Sequence, residues 1–415
     1  MQTEIKRPKI LMSAFACEPG RGSEQEVGWR WALEMARWFD ITVITQTRNR
    51  PGIERELEKG LPVDRTLSFV YFQFPSLVYR LKSQFDPLTW PYYICWQWSI
   101  RRVAAKLHKV ASFDLVHHVT FVSFRVPVWL KCLGIPVVFG PVGGAEKAPR
   151  LLLRRGFRRM IQLKEIVRNA SNAVCAKMLK FFPPINGSKG ICLAATPAME
   201  EIFKNAGFPT EILPAVGIDA SGKLQHAPPG APMRFLYVGR LHPLKGVHLL
   251  LEALAALPPL QATLTIVGSG AEEGRLKALA QSLGIDSMLS WRGKMAREQL
   301  TEVYRSHDVL VAPSLYESGG LTALEAMAVG TPAIVLDVGG HAVSVIPECG
   351  IKLSPCGSAD DVILRIRDAM LMYIAQPNLV LTHGKAAQKR IQTVYAWKKK
   401  AMTMKKIYER TLARF

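Results

Sequence analysis

Short apolar runs alternate with longer mixed segments along the whole chain. In the first half the runs are "KILMSAFA" (9–16), "ITVIT" (41–45), "LSFVYF" (67–72), "DLVHHV" (114–119), "PVVFG" (136–140) and "GICLAA" (190–195). In the second they are "RFLYVG" (234–239), "TLTIVG" (263–268), "DVLVAP" (308–313) and "PAIVL" (332–336). Each is short enough for a strand and apolar enough to be buried on both faces. Between them Glu24–Phe39, Val247–Leu257, Glu272–Leu283 and Glu298–Ser306 carry a helical period. Strand and helix repeated in this way predict parallel sheets covered on both sides. The segment "GIDASGKLQHAPPGAP" (217–232) breaks the alternation with Gly, Pro and Ser and is the best candidate linker. The pattern therefore predicts two doubly wound α/β domains, 1–222 and 223–397. A basic amphipathic helix over about 398–415, spaced by Met402, Ile407, Tyr408 and Leu412, caps its own domain or packs back on the first.

A chain of 415 residues exceeds one compact core, which agrees with two domains. The net charge of +21 points to an anionic partner: nucleotide phosphates, nucleic acid or an anionic membrane surface. Seven cysteines without a C-x-x-C pair suggest neither a disulfide framework nor a zinc site, and read as reduced thiols in a cytoplasmic protein. The N-terminal "KRPKILMSAFAC" imitates a signal peptide, but its apolar stretch of eight residues reads better as a buried first strand. No stretch approaches the ~20 apolar residues of a membrane span, so any membrane contact is expected to be peripheral.

Three segments carry candidate chemistry. "VGRLHPLKG" (238–246) places Arg240 and Lys245 after a strand, at the sheet edge where α/β proteins bind ligands; two cations there suit a diphosphate. "IVGSGAEEGRL" (266–276) misses the G-x-G-x-x-G spacing by one residue and reads as a plain strand-to-helix turn, which argues against a nicotinamide enzyme. "ESGGLTALEAMAVGTP" (317–332) sets Gly319 and Gly320 at a helix start, where backbone N–H groups attract an anion. Glu317 and Glu325 flank that start, and carboxylates suit hydroxyl groups better than phosphates. Glycines for phosphate with acids for hydroxyls describe a nucleotide-sugar.

This combination resembles glycosyltransferase family 4, whose members have the GT-B fold: two Rossmann-like domains whose parallel sheets face an interdomain cleft. "PSLYESGGLTALEAMAVGTPAIVLDVGG" (313–340) is similar to that family's E-x7-E segment, and "YVGRLHPLKGVHLLLEAL" (237–254) to its donor-diphosphate loop. The resemblance covers nearly all of 233–345. It implies donor contacts from Arg240, Lys245, Gly319, Gly320, Leu321, Thr322 and Glu325, with Glu325 on the ribose and Glu317 beside the reaction centre. One departure is Gly319, where the family commonly has an aromatic residue. In the first half "EPGRGSEQEVGWRWALEMAR" (18–37), with Gly22 and Ser23, and "FGPVGGAEKAP" (139–149), with Gly143 and Gly144, resemble cleft loops of a branch acting in bacterial surface polysaccharide and exopolysaccharide biosynthesis. His117, ending the strand in "FDLVHHVTFVSFRVP" (113–127), stands where that family often has a catalytic histidine. The usual pattern is H-x-H, whereas His117 and His118 are adjacent, and His117 is favoured.

The function expected is a retaining, metal-independent hexosyltransferase that needs no cofactor and moves sugar from a nucleotide-diphosphate sugar to a lipid-linked or other saccharide acceptor. The alternatives are a GT-B enzyme of another type, such as an epimerase, or a basic membrane- or nucleic-acid-binding protein without catalysis. From Lys147 to Lys180 there are ten Lys or Arg and one acid, Glu165. There Leu153, Phe157, Met160, Ile161 and Val167 share one helical face, and Arg154, Arg155, Arg158 and Arg159 lie mostly on the other. Such a helix suits an anionic leaflet, each basic residue contributing ~1 kcal/mol. The aromatic stretch 72–98 adds Trp and Tyr at headgroup level. The expected location is the cytoplasmic face of the inner membrane, without nucleic acid, which no recognition motif supports.

Overall fold

The computed structural model describes residues 7–60, 66–74, 89–149, 152, 159–187, 189–219 and 229–414. They form two compact units: residues up to Gly144 with Asn172–Gly217 and Trp397 onward, then Ala145–Ser171 with Ile218–Ala396. Of the candidate linker, 220–228 lies outside the described residues. So do 75–88 of the aromatic stretch, and Leu153, Arg154, Arg155, Phe157 and Arg158 of the basic segment.

Among the described residues the first unit has a seven-stranded parallel sheet of order β3-β2-β1-β4-β5-β6-β7. The strands are β1 (Lys9–Ala14), β2 (Asp40–Gln46), β3 (Leu67–Phe72), β4 (Leu115–Thr120), β5 (Val137–Val142), β6 (Gly190–Ala194) and β7 (Thr210–Ile212). Helices α1 (Ser23–Met35), α2 (Arg50–Leu57), α3 (Thr89–Ala111) and α5 (Pro197–Asn205) belong to this unit, while α4 (Arg159–Met178) belongs to the second unit as far as Ser171 and to the first from Asn172. The run read as a buried first strand is central: Ile10 pairs with Ile41 on one side and Leu115 on the other.

The second unit has a six-stranded parallel sheet of order β10-β9-β8-β11-β12-β13 among its described residues. Its strands are β8 (Met233–Val238), β9 (Ala262–Val267), β10 (Leu289–Gly293), β11 (Val309–Ala312), β12 (Ala333–Leu336) and β13 (Gly350–Leu353). Its helices are α6 (Val247–Ala255), α7 (Glu273–Ser282), α8 (Arg297–Arg305), α9 (Leu321–Val329), α10 (Gly340–Ser344), α11 (Ala359–Ala375) and α12 (Asn378–Arg390). Strand order reverses between β8 and β11, and a doubly wound sheet opens its ligand crevice where that happens. The loops leaving those two strands carry Arg240 and Lys245 on one side and Glu317 on the other.

The last helix, α13 (Trp397–Leu412), packs into the first unit's core through Trp397, Ala401, Met404, Ile407 and Tyr408. Trp31 meets Trp397 edge-on at 5.4 Å, and Phe39 meets Tyr408 at 5.2 Å. Each large side chain buried this way contributes about 1.5–3 kcal/mol. The expected spacing needs one correction. Met402 is exposed, because the inward stripe runs through positions 397, 400, 401, 404, 407, 408 and 411.

Position 400 of that stripe is a lysine. Its ammonium is buried, donates to the Pro214 carbonyl and lies 5.4 Å from the Trp31 ring centroid. Burial pushes its pKa down from 10.5 to about 7. Between those values the unfolded chain binds the proton and the folded chain does not, so stability rises with pH. Thermal unfolding of Lys400→Met beside wild type should therefore show wild type gaining relative to the variant from about pH 7 to 10.5, by at most about 1.4 kcal/mol per pH unit. A constant difference across that range would show that Lys400 keeps an ordinary pKa.

Candidate functional site

The site is built from backbone that has no room for side chains. After β8 the chain turns through Gly239, Arg240 and His242 into a short 3-10 turn, Pro243–Lys245, and reaches α6 through Gly246 at φ 69°. A Cβ on Gly246 would sit 2.1 Å from the Pro313 carbonyl oxygen, so the β8 and β11 loops touch backbone to backbone. After β12 a second glycine pair closes on the first. A Cβ on Gly339 would lie 1.7 Å from the Glu317 carbonyl oxygen, and one on Gly340 2.6 Å from the Gly319 carbonyl carbon. The Gly340 N–H donates to that Glu317 carbonyl at 3.0 Å.

Held there, Glu317 accepts from Lys245 Nζ at 2.6 Å through one carboxylate oxygen and from the Gly320 N–H at 3.2 Å through the other. Burial works to raise its pKa, but His341, Lys245 and the Gly320 N–H together outweigh it and hold the carboxyl below its ordinary value. Glu317 is therefore an anion at neutral pH. Gly320 is the left-handed N-cap of α9 and offers no side-chain cap, so the first-turn N–H groups at Leu321 and Thr322 point to a helix end free to take a ligand anion. Arg240 stands exposed on the β8 side.

Glu325 sits one turn further along α9 in a different setting. It accepts from the Tyr304 hydroxyl at 3.0 Å and lies 3.8 Å from Arg297. Burial raises its pKa despite both partners. With Asp219, Arg297, Leu300, Thr301 and Tyr304 it walls a cavity of about 200 Å³. The two glutamates thus face different chemistry: Glu317 a cation and a helix end, Glu325 a small hollow of mixed polar and apolar lining.

The structure brings Arg240, Lys245, Glu317, Gly319, Gly320, Leu321, Thr322 and Glu325 onto loops and one helix of a single unit. The residues expected in the first unit lie on its own sheet and the loops that leave it. Gly22 is the N-cap of α1 with φ 64°, and Ser23 begins that helix. Gly143 and Gly144 directly follow Val142, the last residue of β5. The Gly144 carbonyl accepts from Arg125 at 3.3 Å and from Asn172 at 3.1 Å. His117 is fully buried in β4. Its Nε2 donates to the Gly140 carbonyl at 2.8 Å, and its Nδ1 accepts from the Tyr408 hydroxyl at 2.5 Å. Burial lowers its pKa to about 4, so the ring is neutral with both nitrogens engaged. His118 is likewise buried, against Tyr93 and Gln97.

Several buried residues, three beside the second unit's site and one in the first unit, carry no sequence signal of their own. Tyr304 is the inward-facing residue of α8 and is seen only once α8 packs on α9. His341 follows the second glycine pair and is buried against Gly320, its pKa pushed down by burial to about 4. Arg168 of α4 stacks over Tyr316 at 3.8 Å, next to Glu317 in the chain. In the first unit Glu24 accepts from the Phe121 N–H at 2.5 Å, and burial raises its pKa. The glycine pair after β12 is the available clue for His341; the other three need tertiary packing.

Comparison with known proteins agrees with this geometry. Residues 223–390 match the family described as glycosyl transferases group 1, from just before β8 to the end of α12. D-inositol 3-phosphate glycosyltransferase of Saccharomonospora viridis is 32% identical over 210 residues, 48% of this chain and 48% of that protein. The chain spans about half the length of the curated relatives it matches, or less. Among solved structures, Anabaena Alr3699/HepE in complex with UDP aligns with a TM-score of 0.61 at 19% identity, over 97% of this chain and 100% of that one. The lipopolysaccharide outer core galactosyltransferase WaaB in its apo form aligns with a TM-score of 0.64 at 17% identity, over 98% and 99%. Identities this low speak to fold, and the fold is the one expected: two parallel-sheet Rossmann-like units of the GT-B glycosyltransferase type.

The glycine contacts make a direct test. Gly246→Ala forces a left-handed alanine against the Pro313 carbonyl, so urea unfolding should show a loss of at least about 1–2 kcal/mol. Gly274→Ala, on α7 where a Cβ meets nothing within 4 Å, should be neutral or slightly stabilising. Equal stability of the two variants would mean that the β8 and β11 loops do not touch as described.

Proposed function

We propose that the chain is a glycosyltransferase that moves a sugar from a nucleotide-diphosphate sugar to a saccharide acceptor. The observation that carries this reading is the meeting of Lys245 and Glu317 at an uncapped helix end, with Arg240 exposed on the same loop as Lys245, where the second sheet reverses order. The group 1 match over the same residues and the UDP held by Anabaena Alr3699/HepE support it. In this reading the diphosphate lies against Arg240, Lys245 and the N–H groups of Leu321 and Thr322, with Gly319 and Gly320 leaving room. The donor ribose hydroxyls occupy the hollow at Glu325, and Glu317 faces the transferred sugar.

Chemistry breaks the bond from the anomeric carbon to the diphosphate oxygen and forms one to the acceptor hydroxyl oxygen. Negative charge grows on the leaving diphosphate, and fixed cations and N–H groups stabilise it without rearranging. Those side chains are the reason for proposing a metal-independent reaction without a cofactor. We assign the acceptor proton to the leaving phosphate, with retention at the anomeric carbon. His117 is given a structural role because both its ring nitrogens are engaged within the fold.

The acceptor in this reading is a lipid-linked saccharide of bacterial polysaccharide biosynthesis, met at the cytoplasmic face of the inner membrane. Among the described residues no helix is long and apolar enough to cross a membrane, so the contact proposed is peripheral. Support comes from α3, which leaves Trp90 and Trp98 exposed, with Arg101 4.4 Å from the Trp98 ring centroid.

Thermal shift and product assays with UDP-, GDP- and ADP-sugars test the donor site. One nucleotide class should stabilise wild type, and Arg240→Ala should weaken it by roughly tenfold or more, the loss of a charge-assisted hydrogen bond. Glu317→Gln should cut turnover by about 10²-fold or more while keeping or tightening nucleoside diphosphate binding, since it releases Lys245. No stabilisation by any nucleotide, or a Glu317→Gln variant with wild-type turnover, would overturn the reading.

A further inference from the structure

The His341 imidazole is fully buried, yet neither ring nitrogen has a hydrogen-bond partner among the described residues. His117, buried to the same extent, has both of its nitrogens engaged. A buried polar group left unpaired costs stability, and native folds keep few of them. A leucine of similar size would fill the place without that cost. Packing alone therefore gives no reason for a histidine at 341, and a residue that the fold holds at a loss belongs where function needs it.

The ring stands beside the site. Its Cδ2 lies 3.1 Å from where a Cβ on Gly320 would be, so the glycine leaves the imidazole against the N-cap of α9. The Gly320 N–H is one of the two partners of the Glu317 carboxylate, and Lys245 is the other. Glu317 and Lys245 are also the charges that act on the ring: the carboxylate favours the imidazolium, and the ammonium opposes it. The coupling runs both ways, since His341 in turn favours the Glu317 anion. With Lys245 in place burial wins, and the ring is neutral above about pH 4.

Other charged groups surround α10. Glu146 packs against Gly339, its Cγ 2.9 Å from the place of a Cβ there. Arg390 of α12 donates to the Val343 and Ser344 carbonyls. Lys352 of β13 donates to the Ala342 carbonyl and lies 3.4 Å from Asp337. Glu325 of α9 is turned to the Tyr304 hydroxyl. None of these is placed against the diphosphate, so the pair that changes when it binds is Lys245 and Glu317.

We propose that His341 takes up a proton from solvent when a nucleoside diphosphate draws Lys245 off Glu317, and then holds that carboxylate in the place of Lys245. Losing Lys245 removes the charge that opposes the imidazolium and leaves the carboxylate that favours it without its cation. His341 is thus a positioning residue: it keeps Glu317 ionised and in place while Lys245 serves the leaving group. The inference rests on the donor reading of the same site. Its consequence is linkage, for a proton and a nucleotide that favour one another must do so equally. Affinity should fall as pH rises, by up to about tenfold per unit, between the ring's pKa without nucleotide and its higher pKa with it.

Calorimetric titration with UDP, GDP and ADP, in buffers of different ionisation enthalpy from about pH 5 to pH 8, tests this. The nucleotide's own phosphate titrates in that range, so the readout is the difference between wild type and variants. Wild type should take up more protons on binding than His341→Gln, by as much as a whole proton. Glu317→Gln should take up as few as His341→Gln, because an amide gives the ring no charge to follow. Equal uptake by wild type and His341→Gln, or wild-type uptake in Glu317→Gln, would overturn the proposal and leave the donor reading standing. Absence of binding by all three nucleotides would remove both. In urea His341→Leu should be at least as stable as wild type, since it deletes an unpaired buried group. A clear loss there would give the ring a structural role and overturn its assignment to the site.

Discussion

Backbone meeting backbone is the constraint on which the second unit's site depends. Gly246 touches the Pro313 carbonyl, Gly339 the Glu317 carbonyl and Gly340 the backbone of Gly319. Any side chain at these positions pushes the β8, β11 and β12 loops apart. Closed, they bring Lys245 from one loop to Glu317 of the next and leave the start of α9 without a side-chain cap. The parallel order of the sheet makes this possible, since β8 and β11 are neighbours though about seventy residues separate them.

The electrostatics follow from those contacts. Glu317 stays ionised in a largely buried place because His341, Lys245 and a backbone N–H together outweigh the cost of desolvation. Glu325 has only a tyrosine hydroxyl and a more distant arginine, and burial wins. Two carboxylates eight residues apart therefore have opposite tendencies. Only the first is matched to a cation, and the proposed function accordingly sets it beside the leaving group and the second against neutral hydroxyls.

Much of this was legible in the sequence, and the reason is physical. The ten apolar runs are all strands, mostly central ones buried on both faces, where the apolar signal is continuous. The strands not read, β7, β10 and β13, are all at sheet edges and are shorter or half-exposed. The places of Arg240, Lys245, Glu317 and Gly320 were legible because they are local: strand end, glycine turn, helix start. Tyr304 and Arg168 were not, since each reaches the site from a helix distant in sequence. His117 shows the opposite failure. Read as ending its strand, His117 looks available in sequence, but β4 runs on to Thr120, and Tyr408 arrives from nearly three hundred residues away and occupies its ring.

On this account a nucleoside diphosphate binds at the Gly320 helix end between Arg240 and Lys245. The most direct measurement is a crystal structure of the chain with UDP, or with whichever nucleoside diphosphate it binds. The diphosphate should lie within hydrogen-bonding distance of Arg240 Nη, Lys245 Nζ and the Leu321 or Thr322 N–H, with Lys245 drawn away from Glu317. A nucleotide bound elsewhere, or bound with the Lys245–Glu317 pair intact and Arg240 facing solvent, would contradict it.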